Sequence, residues 1–582
     1  MTVFNIVQRA GRDQIHAPRP FAQQRRITFK FDFITHKYYS SIIMRKKESL
    51  FITIGLFAII AITGGAIWNT AYTTTGQGEK YEFPTTKYGA FLAAQHAVYV
   101  NDFDTANKLT EGLRDVQYPI VQNTVYISDF LSGRMPLDAH LLKNEKSMPA
   151  RLIYDAYLIQ NDKWKELHNR HKTDESALAA PLRIWSAIAN DWRTDTFKFI
   201  EKLPTNASWK SFVRGQIYAE LGDMDAAAKN FAAVSIDFMN INDYLYLMSF
   251  YTHHDMGDAA EKLREEFTAR PGGMFMLNYD NIPEWSVYAG YENQLAFSLV
   301  QNVSHTQVMM YSDLAMLLLR FAQITAPNFA ENNNAIDYYL GNYFWNNRGD
   351  YRSCFDKINP NSPFYLFGVL RKAEKTGNID ELQDALRAHP LFVPAVNKLV
   401  GYHIQHGNKR AALRVINRAL GDDNLDDAGR AFFTKGRAQI HFAFGDLEDA
   451  QDDLRNASDA LFMDGEIVSL QAKIWAAQNR ELDNAYDYAM MLVQQNPTDV
   501  LAWDTLGVVV AQREGVDAAL EVLERVGEVS ATCSALFEHL GDMYAIKGDA
   551  EKAKDAYMRA IDLSDDGLTV IPVIERKIRK IK

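Results

Sequence analysis

Apolar residues over 534–566 recur at helical spacing in two runs joined by one tight turn. Leu536, Phe537, Leu540 and Tyr544 share a face of the first run, and Ala553, Tyr557, Ala560 and Ile561 a face of the second. Gly548-Asp549 between them ends one helix and starts the next. A single hairpin of this kind cannot bury its own apolar face, so the pattern predicts copies of itself. Ala553, Ala519, Ala485, Ala450 and Ala412 supply them, at intervals of 34, 34, 35 and 38 residues. Gly541, Gly507 and Ala438 keep a small residue on the first helix, where it lets two helix axes come close. Lys473 and Val400 break that rule.

The pattern changes elsewhere along the chain. Residues 1–49 are basic and without a sustained period, which predicts a disordered cytoplasmic tail. Met44, followed by Arg45-Lys46-Lys47, offers an alternative start. No charge interrupts 50–68, which is long enough to cross a membrane as a helix. The basic residues before it place the N-terminus in the cytoplasm and the remainder on the far side. The segment reads either as a retained signal anchor or as a signal peptide cleaved near Ala66. Residues 69–83 are a polar linker. From 84 to 273 the chain yields hairpin-sized amphipathic pieces, up to the helix stop Pro271-Gly272-Gly273. Residues 274–370 are dense in aromatics and amides, among them Trp285, Tyr288, Tyr338, Tyr339, Asn342, Tyr343 and Trp345. They suit either an aromatic groove or rings packed between degenerate helical repeats. Clear repeats resume over 371–566, and 567–582 forms a basic capping helix with Ile574, Ile578 and Ile581 on one stripe.

The repeating residues resemble the tetratricopeptide repeat. Leu540, Gly541, Tyr544, Gly548, Ala553, Tyr557 and Ala560 match nearly a whole unit. Trp503, Leu506 and Gly507 match its opening, and Pro497 the proline between units. Gly215, Tyr218, Gly222-Asp223, Ala227 and Phe231 keep the same offsets upstream, and Ala94, Ala97, Asn101-Asp102 and Ala106 repeat them without the tyrosine. The resemblance implies an all-α solenoid of helical hairpins wound as a right-handed superhelix, here behind one N-terminal transmembrane or signal-anchor helix. It also implies a concave face, made by the first helix of each unit, that grips a peptide segment or a partner helix. Carried over by position, that face includes Trp209, Phe212 and Gln216 upstream, Asp504 and Val508 in the penultimate unit, and Glu538 and Asp542 in the last. The upstream part is apolar. The C-terminal part is mildly acidic and is expected to bind a basic or amphipathic segment.

Composition narrows the function. The chain has 582 residues, too many for one compact core but normal for an array whose units touch only their neighbours. The net charge is −11, yet residues 1–50 carry +7, so the body carries −18 and is unsuited to nucleic acid. Two cysteines give neither a disulfide framework nor a zinc cluster. No phosphate loop, dinucleotide fingerprint, zinc-protease motif or nucleophile elbow is present. His253-His254 and His403/His406 lack further ligands, and Glu265-Glu266 and Asp452-Asp453 read as solvated faces. The sequence thus predicts no catalytic residue, no cofactor and no metal. It predicts a non-enzymatic scaffold or adaptor that binds other proteins, single-pass in a bacterial inner membrane with its repeats in the periplasm. An enzyme with a glycan or peptide site in the aromatic middle is the competing class, and a tethered cytosolic scaffold a third.

Overall fold

The computed structural model describes residues 86–582, apart from 175–178, 270–281, 307–311, 348, 424, 459–460, 462–463, 531 and 582. All of these belong to the compact unit Phe83–Lys582. The described residues are helical throughout and contain no strand. None of their helices is long and apolar enough to cross a membrane. The apolar run 50–68 and the linker after it lie outside the described residues.

The hairpins follow from one local device. In the last unit, Ser534–Lys547 ends at Gly548, held at φ 86°, a left-handed conformation that costs other residues energy. Asp549 then accepts from the Lys552 N–H and starts Ala550–Asp562. Gly222 and Asp223 do the same between Ala207–Glu220 and Met224–Phe231. In the first described hairpin Asn101, at φ 61°, takes the glycine's place before Asp102.

Close packing within each hairpin sets the small-residue rule. A Cβ on Gly541, Gly507 or Gly215 would fall closer than 3.0 Å to Tyr557, Leu523 or Phe231, each sixteen residues further on. Lys473 breaks the rule safely because the residue at that offset is Ala489, which is fully buried. The degenerate middle keeps a version of the same contact. Gly341 lies against Phe355, only fourteen residues on, because the second helix there is the five-residue Tyr351–Phe355.

Contacts do not stop at neighbouring units. The helices between Tyr291 and Asn346 run back along the N-terminal hairpins in the opposite direction. Gln216 donates to Gln294 at 3.1 Å, Trp185 to Ser298 at 3.0 Å and Gln160 to the Ile324 carbonyl at 3.1 Å. Phe103 meets Phe344 with centroids 5.8 Å apart, and Asn101 donates to the Asn347 carbonyl at 3.2 Å. Partners thus descend from 216 to 101 as the middle ascends from 294 to 347. One apolar core in consequence runs from Phe103 to Phe364. The expectation that each unit touches only its neighbours fails here. Large rings on the inner faces gain more by covering one another than by facing water.

The C-terminal repeats show a second return contact. Gln405 donates to Ser564 Oγ at 2.9 Å. Val570 and Val573 join the core of Leu366–Ile440, while Ile574 is fully buried in the core of the last repeats. The final helix Ile571–Lys580 packs on Ala550–Asp562, with Ile574 placed 34 residues after Leu540, as the first helix of a further unit would be.

A candidate binding face on the first helices

The seven positions carried over from the repeat pattern fall into an upstream group and a C-terminal group. Phe212 is fully buried, stacked on Phe297 at 5.7 Å with the rings 8° from parallel. Gln216 is fully buried beside it, and the Gln294 carbonyl oxygen that accepts from it also accepts from the Tyr246 hydroxyl at 3.0 Å. Trp209 is half-buried against the same core. The helix Tyr291–His305 therefore covers Phe212 and Gln216 at this unit.

Asp504, on the first helix Val500–Arg513, is also fully buried. One carboxylate oxygen accepts from Lys473 Nζ at 2.7 Å and the other lies 2.6 Å from His539 Nδ1. These three residues stand on three successive first helices. Burial alone would raise the Asp504 carboxyl, but His539 and Lys473 outweigh it and hold it well below the usual carboxylate range. Burial likewise disfavours charge on His539, and Asp504 overturns that and raises it. Such a buried ion pair adds little over apolar packing when intact, but losing one partner strands a buried charge. Val508, one turn on, is half-buried and packs into the apolar core of the last repeats.

Glu538 and Asp542 are brought together by one cation. Lys577 Nζ, from the final helix, lies 2.8 Å from Glu538 and 2.8 Å from Asp542. Tyr557 donates its hydroxyl to Asp542 at 2.6 Å. Burial would lower the Lys577 ammonium, but the two carboxylates raise it above its ordinary value. The three acidic positions read from sequence are therefore each paired inside the chain. Lys473, His539 and Lys577 balance Asp504, Glu538 and Asp542 within the chain.

None of these three cations was assigned from sequence. Lys473 had left a signal, as a long cation where the repeat needs a small residue. Lys577 was visible only as part of a basic cap.

The aromatic middle forms packing rather than a lining. Trp285, Tyr288, Tyr339, Tyr343 and Phe344 are all buried. Asp453 is a correction to the solvated-face reading. It is 6 % exposed and accepts two hydrogen bonds from Arg437, at 2.8 and 2.6 Å. His403 is buried while His406 is exposed, so they do not form a pair of ligands. One grouping among the described residues has ligand spacing, His441 with Asp446 and Asp449. Lys409 already pairs with Asp446, which supplies the positive charge a metal would bring.

A family model agrees with the repeat at the last unit. Residues 535–566 match the family model described as tetratricopeptide repeat. Among solved structures, the chain is similar to the APC/C hetero-tetramer Cut9–Hcn1, at 12% identity over 85% of this chain and 97% of that one, with TM-score 0.30. It is also similar to yeast Tom70, at 11% identity over 84% of this chain and 95% of that one, with TM-score 0.24. No curated protein matches. The matched unit at 535–566 contains the Gly548 turn and the Gly541–Tyr557 contact, the features of a tetratricopeptide repeat hairpin.

Proposed function

We propose that this protein is a non-enzymatic scaffold that holds partner proteins in a bacterial cell envelope. The observation that supports this reading is that first-helix positions already engage other helices of the same chain: Tyr291–His305 at Phe212 and Gln216, and Lys577 of Ile571–Lys580 at Glu538 and Asp542. Surfaces of this type recognise helices by apolar anchors and a few charges. A partner with a basic amphipathic helix competes with Lys577 for Glu538 and Asp542.

The apolar segment 50–68 tethers the chain in the inner membrane, with the repeats in the periplasm. The described hairpin nearest that segment in sequence supports the placement. Its Tyr88 and Tyr99 are 70 and 84 % exposed, aromatic rings of the kind found at membrane interfaces.

Crosslinking in the native cell, with sequencing of the mature N-terminus of the same preparation, tests both parts. An intact segment 50–68 and protein crosslinks on the C-terminal repeats are expected. Cleavage near Ala66 overturns the tether. Crosslinks that are unchanged when Glu538 and Asp542 are replaced by lysine overturn the assigned face.

A further inference from the structure

A cleft of about 270 Å³ opens between the helices Asp380–Ala388, Val393–Gln405 and Lys409–Leu420. It lies apart from the carried-over positions. Its charge is opposite to that of the body. Arg414 and Arg418 line it from one helix and Arg387 from another. The helix Lys409–Leu420 contains no acidic residue, and Arg410, Arg414 and Arg418 follow one another at four-residue spacing along it. Like charges at that spacing repel, by about 0.2–0.5 kcal/mol per pair. Arg387 has Asp384 at 2.8 Å. The side chains of Arg414 and Arg418 have no hydrogen bond or ion pair among the described residues.

The wall of the cleft carries a second signal. His403 is only 9 % exposed, and its Nδ1 has no hydrogen-bond partner. A buried polar atom without a partner is costly, and a turn of the ring toward a bound ligand removes that cost. Burial first, then Arg414 and His406, lower its pKa, which favours the neutral ring. Leu386, Leu399 and Val415 supply an apolar floor.

We propose that this cleft binds a phosphate monoester. Each guanidinium presents a fork of donors, and three of them at one cleft exceed what the two oxygens of a carboxylate accept. A phosphate monoester brings three strong acceptor oxygens and close to two negative charges. Arg414 and Arg418 take its oxygens, and Arg387 closes the rim beside Asp384. The source is either a free phosphate ester or a phosphorylated side chain on a partner.

The test is isothermal titration of the full chain with inorganic phosphate, O-phosphoserine, a phosphoserine peptide and acetate at low salt. Saturable binding of the phosphate probes is expected, with acetate much weaker. Removing one charge-assisted contact, in Arg414→Gln or Arg418→Gln, should weaken it by roughly tenfold. Both side chains are exposed, so these variants keep the fold, which circular dichroism checks. A phosphopeptide tighter than inorganic phosphate supports the site with a phosphorylated partner as source, and equal affinities support it with a free ester. Absence of saturable binding, acetate as tight as phosphate, or undiminished binding by Arg414→Gln/Arg418→Gln overturns it.

Discussion

Gly567 lies backbone to backbone against Gly401. A Cβ added at 567 would stand 2.6 Å from the Gly401 Cα, and one added at 401 would stand 3.3 Å from the Gly567 Cα. Two glycines are what allow the C-terminal turn to return to the helix Val393–Gln405. Gly567 also holds φ 72°, which disfavours any side chain. Gly567→Ala therefore carries both a steric and a conformational cost, about 2–3 kcal/mol together, and Gly401→Ala the smaller steric one, about 1 kcal/mol. Hydrogen exchange over 564–581 should rise in both variants, and more in Gly567→Ala. Unchanged exchange would show that the return contact is not held by this approach.

Lys577 is the polar half of the same closure. Lys577→Met leaves Glu538 and Asp542 close together without a cation. Their side chains are 17 and 30 % exposed, so water screens only part of the repulsion. A loss of about 1–2 kcal/mol is expected in denaturant titration, shrinking as salt is raised. If the proposed function is right, the same variant binds a basic amphipathic peptide more tightly, because the internal competitor is gone. A basic peptide that binds wild type and variant equally would place the partner elsewhere.

The sequence made the hairpins legible and left their occupants unread. Gly541 with Tyr557, and Gly215 with Phe231, follow from short-range packing, so a fixed offset of sixteen reveals them. The positions of the first-helix face are what the resemblance to the repeat family implies, and a helix period decides which of them lie on one side. What covers that face is a long-range matter. Nothing local to Phe212 points to Phe297, and nothing local to Glu538 points to Lys577. Where the offset shortens to fourteen, at Gly341 and Phe355, the repeat register is lost. The helices returning along the N-terminal hairpins begin in the same stretch, so the segment that fills the inner face is the one the period could not mark.

Asp504 gives the pH dependence a distinct sign. His539 has a folded pKa above its ordinary 6.5. Its contribution is fully present below 6.5 and is lost as pH rises through the raised value. Asp504 is held below its ordinary 3.8, so its contribution is present above 3.8 and is lost only as pH falls far below it. His168, His254, His389, His403 and His441 are lowered by burial and act the other way, losing stability as pH falls below 6.5. His539→Gln should flatten the alkaline side of the stability profile and leave the acid side in place. Asp504→Ala, which strands Lys473 and His539 without their shared anion, should cost about 3–5 kcal/mol near neutral pH. A His539→Gln profile parallel to wild type above pH 6.5 would mean that the pair does not hold its charge in solution.

Phe212 and Phe297 test whether the returning helices are integral to the N-terminal half. Each is fully buried, so Phe212→Ala or Phe297→Ala opens a cavity in the core that runs from Phe103 to Phe364 and should cost about 3–5 kcal/mol. The two rings are stacked on each other, so part of that cost is shared. Phe212→Ala/Phe297→Ala should then fall short of the sum by about 0.5–1.5 kcal/mol, the coupling measured for aromatic pairs. Cys354→Ala, also buried in this core but not in ring contact with either, serves as the additive control. Strict additivity between Phe212 and Phe297 would mean that the helix Tyr291–His305 leaves the inner face in solution. The upstream first-helix surface, with Trp209 at its edge, would then be open to an outside partner.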